Sequence, residues 1–281
     1  MTLIKYNKTF KRGTTLLSKV LNSNYFMWKP FKSKTQIYIE NQKYIIKTAE
    51  NNKELNEALV LRYKIFNKEI LKEKNIFKID IDKFDKYCDH LLIIDKNISR
   101  VIATYRINIY NNKFYSAKEF HLKSLIMHNG VKAELGRACI LEDYRKGVVL
   151  ALLWKGIRYY IEKNGIQYLF GCSSVFTESK KEAISIFNFF KVNGFLHKNI
   201  LVEPKKKYKF NKFEELSKNS NYNSLETTIK NIPDLLRAYL KFGAKICSYP
   251  AYDRDFKCMD FLTIIDYHNI KKDCMNIINR L

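Results

Sequence analysis

The strongest constraint on the fold is an alternation of apolar, strand-like segments with amphipathic, helix-like segments in the middle of the 281-residue chain. The pattern predicts a strand, a helix, a strand and a helix, in that order, at residues 131–140, 148–164, 168–175 and 178–192. A glycine follows each helical segment, Gly165 and Gly194, as is common where helices end. Alternating strands and helices predict an α/β or α+β protein with a mixed sheet.

The segments on either side extend this architecture. Further strands are predicted at residues 44–47, 90–95, 100–109, 244–249 and 259–267. Further helices are predicted at residues 53–71, around 117–127, and from Pro233 to Gly243. We therefore predict one domain over residues 41–281, preceded by a basic arm at residues 1–40.

The charge balance limits the partners that the chain can have. It carries 51 basic and 28 acidic residues, a formal net charge of +23, and such a surface attracts nucleic acid, anionic lipid or acidic proteins. Residues 1–39 contain eight basic residues and no acidic one, with apolar and aromatic side chains between them. That composition is typical of an interfacial membrane anchor. The alternatives are a poorly ordered arm or a helix packed on its own domain.

Other features exclude whole classes of protein. The six cysteines show no CxxC spacing, which disfavours a zinc or redox motif and indicates a reducing compartment. The longest apolar run, Val148–Trp154, has seven residues, whereas a membrane-spanning helix needs about 20. No secretory signal is visible, so we expect a cytoplasmic protein that is at most peripheral on the inner face of the membrane. The basic residues are dispersed and match no recognised nucleic-acid-binding motif, so no nucleic-acid partner is expected.

Two charged residues lie within the apolar strand at 131–140. Glu134 and Arg137 are expected to be partly buried there, and a buried charge is costly unless it is paired. One reading is a structural ion pair. The other is a site in which Glu134 accepts a proton and Arg137 binds a carboxylate or a carbonyl oxygen. Residues three apart face one cleft only if the strand bulges, and Gly136 makes a bulge plausible.

A second cluster of charges surrounds an aspartate-rich loop. Asp82 and Asp85 lie in this loop, and Arg62 and Arg106 are the polar exceptions in an apolar helix and an apolar strand. The carboxylates would suit a divalent metal, a cationic amine or simple solvation of the loop, although the glycine of an EF-hand is absent. Each arginine could equally lay its aliphatic stem along the core with its head in water.

In order and spacing, these pieces resemble the acyltransferase branch of the GCN5-related N-acetyltransferase superfamily. The likeness is greatest to the group labelled hemolysin-like, which includes the ornithine N-acyltransferases of ornithine-lipid synthesis. It spans about residues 44–267. The matching segments are Arg62–Phe66, Asp82–Asp85, Cys88–His90, Thr104–Arg106, Glu134–Arg137, Asp143–Arg145, Ala151–Gly156, Leu169–Ser174, Pro233–Leu240, Gly243–Cys247, Asp255–Phe256 and Asp260.

The resemblance implies an acyl-CoA N-acyltransferase-like fold. Its central mixed sheet, flanked by helices, would splay between the fourth and fifth strands, here 131–140 and 167–175, and admit an acyl thioester. The phosphate and pantetheine of the donor would lie at the start of the following helix, whose amides attract anions. The residues of that turn are Arg145, Lys146, Gly147 and Val148. Its single glycine suits acyl carrier protein, with one phosphate, better than coenzyme A.

The resemblance also implies roles for the charged residues. Glu134 would take a proton from the attacking amine, directly or through a water, and Arg137 or Arg106 would hold the acceptor's carboxylate. Asp82 and Asp85 would either bind a second ammonium or pin their loop through Arg62. Neither a metal nor a tightly bound cofactor is expected.

The function implied is an N-acyltransferase that moves a long-chain fatty acyl group from acyl carrier protein, or from acyl-CoA, to an amino acid. Ornithine is the leading acceptor, and the product would be a lyso-lipid precursor of an aminolipid. The same positions also resemble the N-acyl-homoserine-lactone synthases, which makes synthesis of such lactones, or of other N-acyl amino acids, the alternative. A basic protein that binds nucleic acid or membrane is the non-enzymatic alternative.

Overall fold

The structure of the chain is a computed structural model. It describes residues 30–109, 113–210, 212–219, 231–270 and 276. The chain forms two compact units, each from two separate stretches of sequence. They are Met1–Tyr110 with Arg137–Tyr160, and Asn111–Gly136 with Ile161–Leu281. Most of the basic arm, residues 1–29, lies outside the described residues, so its contact with a membrane stays a prediction, as does the single domain over 41–281.

The alternation predicted from the sequence is present. The strands are β1 Tyr38–Glu40, β2 Tyr44–Thr48, β3 Asp89–Asp95, β4 Arg100–Asn108, β5 Val131–Ile140, β6 Ile166–Val175, β7 Lys245–Ile246, β8 Ala251–Asp253 and β9 Cys258–Asp266. The α-helices are α1 Asn52–Arg62, α2 Lys123–Met127, α3 Val149–Asn164, α4 Lys180–Val192, α5 Phe213–Asn219 and α6 Asp234–Phe242. Strand β5 begins in the second unit and ends in the first.

The first unit is built on antiparallel strands β1 to β4, each paired with the next along the chain. Helix α1 begins at Asn51, whose side chain accepts a hydrogen bond from the Glu54 amide, as an N-cap should. It continues as a π-helical segment over Tyr63–Ile70, so the predicted helix at 53–71 is confirmed. Helix α3 packs closely on β2 and β3 because Gly156 has no side chain: a Cβ there would lie 2.7 Å from Ile46.

The end of the basic arm belongs to the first unit. The backbone amides of Lys34 and Thr35 donate to the Asp89 carboxylate at 2.8 and 2.9 Å. Tyr160 donates to the same carboxylate at 2.8 Å, and Ile37 is buried. Residues 33–40 therefore pack in this unit, and β1 forms its edge strand.

The second unit contains a mixed sheet. Residues 131–134 of β5 pair in parallel with β6, and β6 pairs antiparallel with β9, which also pairs with β7 and β8. Helices α4 and α6 cover one apolar cluster, in which the Phe190 and Phe261 rings meet edge to face with centroids 5.2 Å apart. The protein is thus a mixed α/β protein, as its sequence predicts. The splay for an acyl thioester stays a prediction.

Candidate active site

Strand β5 carries both residues predicted to be catalytic. Arg137 adopts a left-handed backbone conformation, with φ +54°, which is unusual for a residue other than glycine inside a strand. The conformation breaks the regular alternation of side chains, as a β-bulge does. The positive φ lies at Arg137, next to Gly136, and the bulge that would turn Glu134 and Arg137 to one cleft stays a prediction.

The Glu134 carboxylate is anchored within the second unit by a turn 18 residues earlier in the chain. One oxygen accepts from the Tyr115 amide at 2.5 Å. The other accepts from the Ser116 amide at 2.7 Å and from the Ser116 hydroxyl at 2.6 Å. The residue is only 6% exposed. Donors on both oxygens fix the orientation of the carboxylate, which a proton acceptor needs.

In the first unit, three arginines and three aspartates form what we call the Asp–Arg cluster. Its members are Arg62, Arg106, Arg137, Asp80, Asp82 and Asp85. At its centre, Arg62 donates through both terminal nitrogens to Asp85, at 2.6 and 3.2 Å, and through Nε to Asp80 at 2.9 Å. Arg62 and Asp85 are fully buried. Paired charges of equal number make this burial tolerable.

The other two arginines bridge the aspartates. Arg106 donates to Asp82 at 2.8 Å and to Asp85 at 2.9 Å. Arg137 reaches Asp82 at 3.3 Å, and its Nε lies 3.2 Å from Asp80. Although burial alone would raise the pKa of Asp82, the guanidinium groups of Arg106 and Arg137 hold that pKa well below its usual range. The structure thus brings the predicted substrate-binding residues together with Arg137. Their mutual pairing favours the structural role for the loop.

A buried histidine lies beside this cluster. His90 Nε2 is 3.2 Å from the Asp85 carbonyl oxygen, and Nδ1 has no hydrogen-bond partner among the described residues. Burial, helped by the positive charges of Arg62 and Arg106 and opposed by Asp85, lowers the pKa of His90 to about 4. His90 is therefore neutral in the folded protein at pH 7.

We expect this histidine to make the protein sensitive to mild acid. In the unfolded chain, a histidine has a pKa of about 6.5 and becomes protonated as the pH falls from 6.5 to 4, whereas His90 in the folded protein stays neutral over most of this range. The contribution of neutral His90 to the stability of the folded protein is therefore full above pH 6.5 and is lost as the pH falls towards 4. Between pH 7 and pH 5, His90 should lower the free energy of unfolding by about 2 kcal/mol.

Denaturant titrations of wild type and His90→Gln at both pH values measure this effect. The wild type should lose about 2 kcal/mol more than the variant on going from pH 7 to pH 5. Equal losses in the two proteins would show that other groups account for the acid sensitivity.

The turn predicted to bind the donor lies just before helix α3. Arg145 and Lys146 are exposed there, and Gly147 has a φ of +157°. The Arg145 guanidinium forms an ion pair with Glu69, and its Nε donates to the Ile140 carbonyl at 3.1 Å. The 16-residue helix then begins at Val149. Exposed cations beside a helix start are suited to a phosphate, and the assignment of Arg145, Lys146, Gly147 and Val148 to the donor stays a prediction.

Sequence reasoning missed several residues of these sites. Asp80 and His90 were visible as members of a charged loop, but nothing in the sequence selected Asp80 as a partner of Arg62 or His90 as a buried neighbour of Asp85. Ser116 has no distinguishing pattern at all.

Comparison with known proteins places the chain in a family. The family described as acetyltransferase (GNAT) domain matches residues 61–155. An L-ornithine N(alpha)-acyltransferase from Agrobacterium fabrum is 30% identical over 248 residues, which cover 79% of this chain and 80% of the relative. This chain belongs to the L-ornithine N(alpha)-acyltransferase family. The acyltransferase is 29% identical to a second such protein, from Rhizobium meliloti, over 81% of both chains. The predicted family and the prediction of an acyltransferase enzyme are confirmed.

Solved structures similar to the acyltransferase include acyl-homoserine lactone synthases. The CoA-dependent synthase BjaI, solved with SAM and isopentyl-CoA, is 12% identical, with 80% of both chains covered and a TM-score of 0.47. The CoA-dependent synthase MesI is 11% identical, with 81% of this chain and 87% of that chain covered and a TM-score of 0.43. Among the residues that the structure describes, no helix of the acyltransferase is long and apolar enough to cross a membrane.

Proposed function

We propose that this enzyme transfers a long-chain fatty acyl group from acyl carrier protein to the α-amino group of L-ornithine. The product is the lyso-lipid precursor of an ornithine-containing aminolipid. The observation that carries the proposal is the 30% identity, over four fifths of both chains, to a protein named L-ornithine N(alpha)-acyltransferase. The anchored carboxylate of Glu134 is the proposed proton acceptor of the reaction.

Acyl transfer to an amino acid requires a proton acceptor. The α-amine is an ammonium at neutral pH and attacks a thioester only after losing a proton. In the proposed reaction Glu134 takes this proton, directly or through a water, while the new C–N bond forms and the C–S bond breaks. The departing thiolate of the donor takes up a proton. No covalent enzyme intermediate is needed, which is consistent with cysteines whose pKa values burial raises, such as Cys139 and Cys172.

The proposed roles of the arginines are separate from this step. Arg137, whose side chain is 14% exposed, is the proposed ligand of the acceptor's carboxylate, with Arg106 as the alternative at 4%. A guanidinium matches a carboxylate with two parallel hydrogen bonds. Both side chains already pair with aspartates, so binding the acceptor would require one of those pairs to rearrange.

The proposed donor follows from charge. Acyl carrier proteins are strongly acidic, and a net charge of +23 offers a complementary surface for their docking. The turn before α3 has one glycine, and its exposed Lys146 suits the single phosphate of a pantetheine arm. Acyl-CoA is the alternative donor. A separate part of the proposal is that residues 1–40 contact the membrane, which would bring the enzyme to its lipid product.

Replacing Lys146 with alanine tests the donor site. We expect the KM for the acyl donor to rise about fivefold, the equivalent of about 1 kcal/mol for one exposed charge contact, with little change in kcat. Lys123→Ala, another exposed lysine at a helix start, is the matched control and should leave the KM unchanged. Equal effects of the two variants would indicate only a general role of positive charge.

Expression in a bacterial host, followed by mass spectrometry of extracted lipids, tests the function itself. Cells with the wild-type chain should accumulate an N-acyl ornithine that is absent from cells with Glu134→Gln. Identical lipid profiles in a host known to supply both ornithine and acyl carrier protein would contradict the proposal.

A further inference from the structure

A second group of acidic side chains lies buried in the second unit, apart from the roles assigned so far. The carboxylates of Glu119 and Asp260 and the thiol of Cys172 place their ligand atoms within 4.8 Å of one another. Glu119 is 1% exposed and Asp260 is 4% exposed, whereas Cys172 is partly exposed. We call the first two the carboxylate pair.

One oxygen of the pair lacks a partner. Among the residues that the structure describes, Glu119 Oε2 is buried and accepts no hydrogen bond. A buried carboxylate oxygen without a donor is unfavourable, because it has lost its hydrogen bonds to water without gaining others. Such an oxygen is satisfied either by a proton shared with Asp260 or by a donor that arrives from outside, and an outside donor must be one that carboxylates bind well.

The surrounding structure holds the pair in place. Ser174 on β6 donates to Asp260 Oδ1 at 2.5 Å, across the register that pairs these two residues. The backbone carbonyl of Glu119 accepts from the Lys205 amide at 2.6 Å. Glu119 also follows the short helical turn Ser116–Lys118, whose first residue is bound by the Glu134 carboxylate. The proposed proton acceptor and the pair are thus joined by one short segment.

The electrostatics of the pair favour a cationic ligand. Burial and the neighbouring Asp260 raise the pKa of Glu119 to about 10, so without a cation the two carboxylates share a proton. Burial raises the pKa of the Cys172 thiol, and the negative charges of Glu119, Asp260 and Glu134 raise it further. A cation that replaced the shared proton would find two carboxylate acceptors already in position.

An ammonium group fits this arrangement better than a metal ion. It is a compact donor of three hydrogen bonds and needs no thiolate. A closed zinc site uses four ligands, whereas three groups meet here within the described residues. We propose that Glu119 and Asp260 bind the side-chain ammonium of the acceptor amino acid and thereby select a diamino acid over an apolar one. This inference rests on the proposed function.

Steady-state kinetics with L-ornithine and L-norvaline test the proposal, because norvaline has the same carbon chain without the side-chain ammonium. The wild type should prefer ornithine by at least about 100-fold in kcat/KM, since a site built for a polar group rejects analogues that lack it. Glu119→Gln and Asp260→Asn should each raise the KM for ornithine at least tenfold and change norvaline turnover less than threefold. Asp266→Asn, at the end of the same strand β9, is the matched control and should change neither substrate.

The outcomes separate the inference from the proposed function. Equal use of ornithine and norvaline by the wild type would overturn the inference and leave N-acyl amino acid synthesis intact. Equal losses of kcat/KM on both substrates in the variants would show that the pair is merely structural. Stoichiometric zinc in the wild type that is lost in Glu119→Gln would show a metal site. Either result overturns the inference. Failure to acylate either amino acid would overturn the proposed function and the inference with it. Should one variant not fold, the ratio of ornithine to norvaline turnover in the other variant decides.

Discussion

Glu134→Gln should lower kcat by about 10²- to 10⁴-fold at neutral pH, the usual contribution of a positioned proton acceptor. The glutamine keeps the shape of the side chain but cannot take the proton of the attacking amine. Its activity should recover as the pH is raised, because the acceptor's amine then loses its proton to the solvent. Initial rates of N-acyl amino acid formation between pH 6 and 10, for wild type and variant, measure both effects.

A second variant separates this chemistry from the anchoring of the carboxylate. The amides of Tyr115 and Ser116 donate to Glu134, so the amide nitrogen of glutamine would face a donor and weaken the local structure. Ser116→Ala removes the hydroxyl donor but leaves the acid in place. It should reduce the rate less than tenfold, with no gain at alkaline pH. A Glu134→Gln rate that falls equally at every pH would contradict a role in proton transfer.

Arg62→Met should lower the free energy of unfolding by about 3–5 kcal/mol, the usual effect of removing one partner of a buried ion pair. Arg62 is fully buried and donates to Asp80 and Asp85, of which Asp85 is itself fully buried. Without the guanidinium, the remaining arginines would have to compensate these carboxylates alone. Urea titration at pH 7 measures the change, and the transition should move to lower denaturant with little change in slope.

Two controls test whether the ion pairs, rather than the helix, account for the loss. Lys64→Met exchanges an exposed cation near the same helix and should change stability by no more than about 0.5 kcal/mol. The double variant Arg62→Met with Asp85→Asn should lose less stability than the two single variants lose in sum, because the two residues contact each other. A loss below about 1 kcal/mol in Arg62→Met would contradict the structural role of the Asp–Arg cluster.

Much of the fold was predictable because its central elements carry strong local signals. Strand β5 has the predicted bounds, 131–140, and α3 differs from its prediction by one residue at its start. Gly165, Gly194 and Gly243 adopt positive φ at the helix ends where the sequence placed them. The three-residue strands β1 and β8 were missed, since such short edges hold too few residues to show alternation.

The sequence predicted several of the charged residues at the sites, but not which residues they contact. The residues at the sites were selected because a charge in an apolar segment must find a partner, and this reasoning identified Arg62, Arg106 and Glu134. It could not identify the partners, because tertiary contacts bring them from 18 or more residues away, as with Ser116 and Glu134. Glu119 carries no local signal, since it becomes buried only when its turn packs on β6 and β9.

The proposed reaction is acylation of the α-amino group of ornithine. To observe it, the purified enzyme is incubated with palmitoyl acyl carrier protein and L-ornithine, and tandem mass spectrometry locates the acyl group in the product. We expect Nα-acyl ornithine from the wild type and at least about 100-fold less from Glu134→Gln. Absence of any acylated ornithine from folded enzyme, with palmitoyl carrier protein and with palmitoyl-CoA alike, would contradict it.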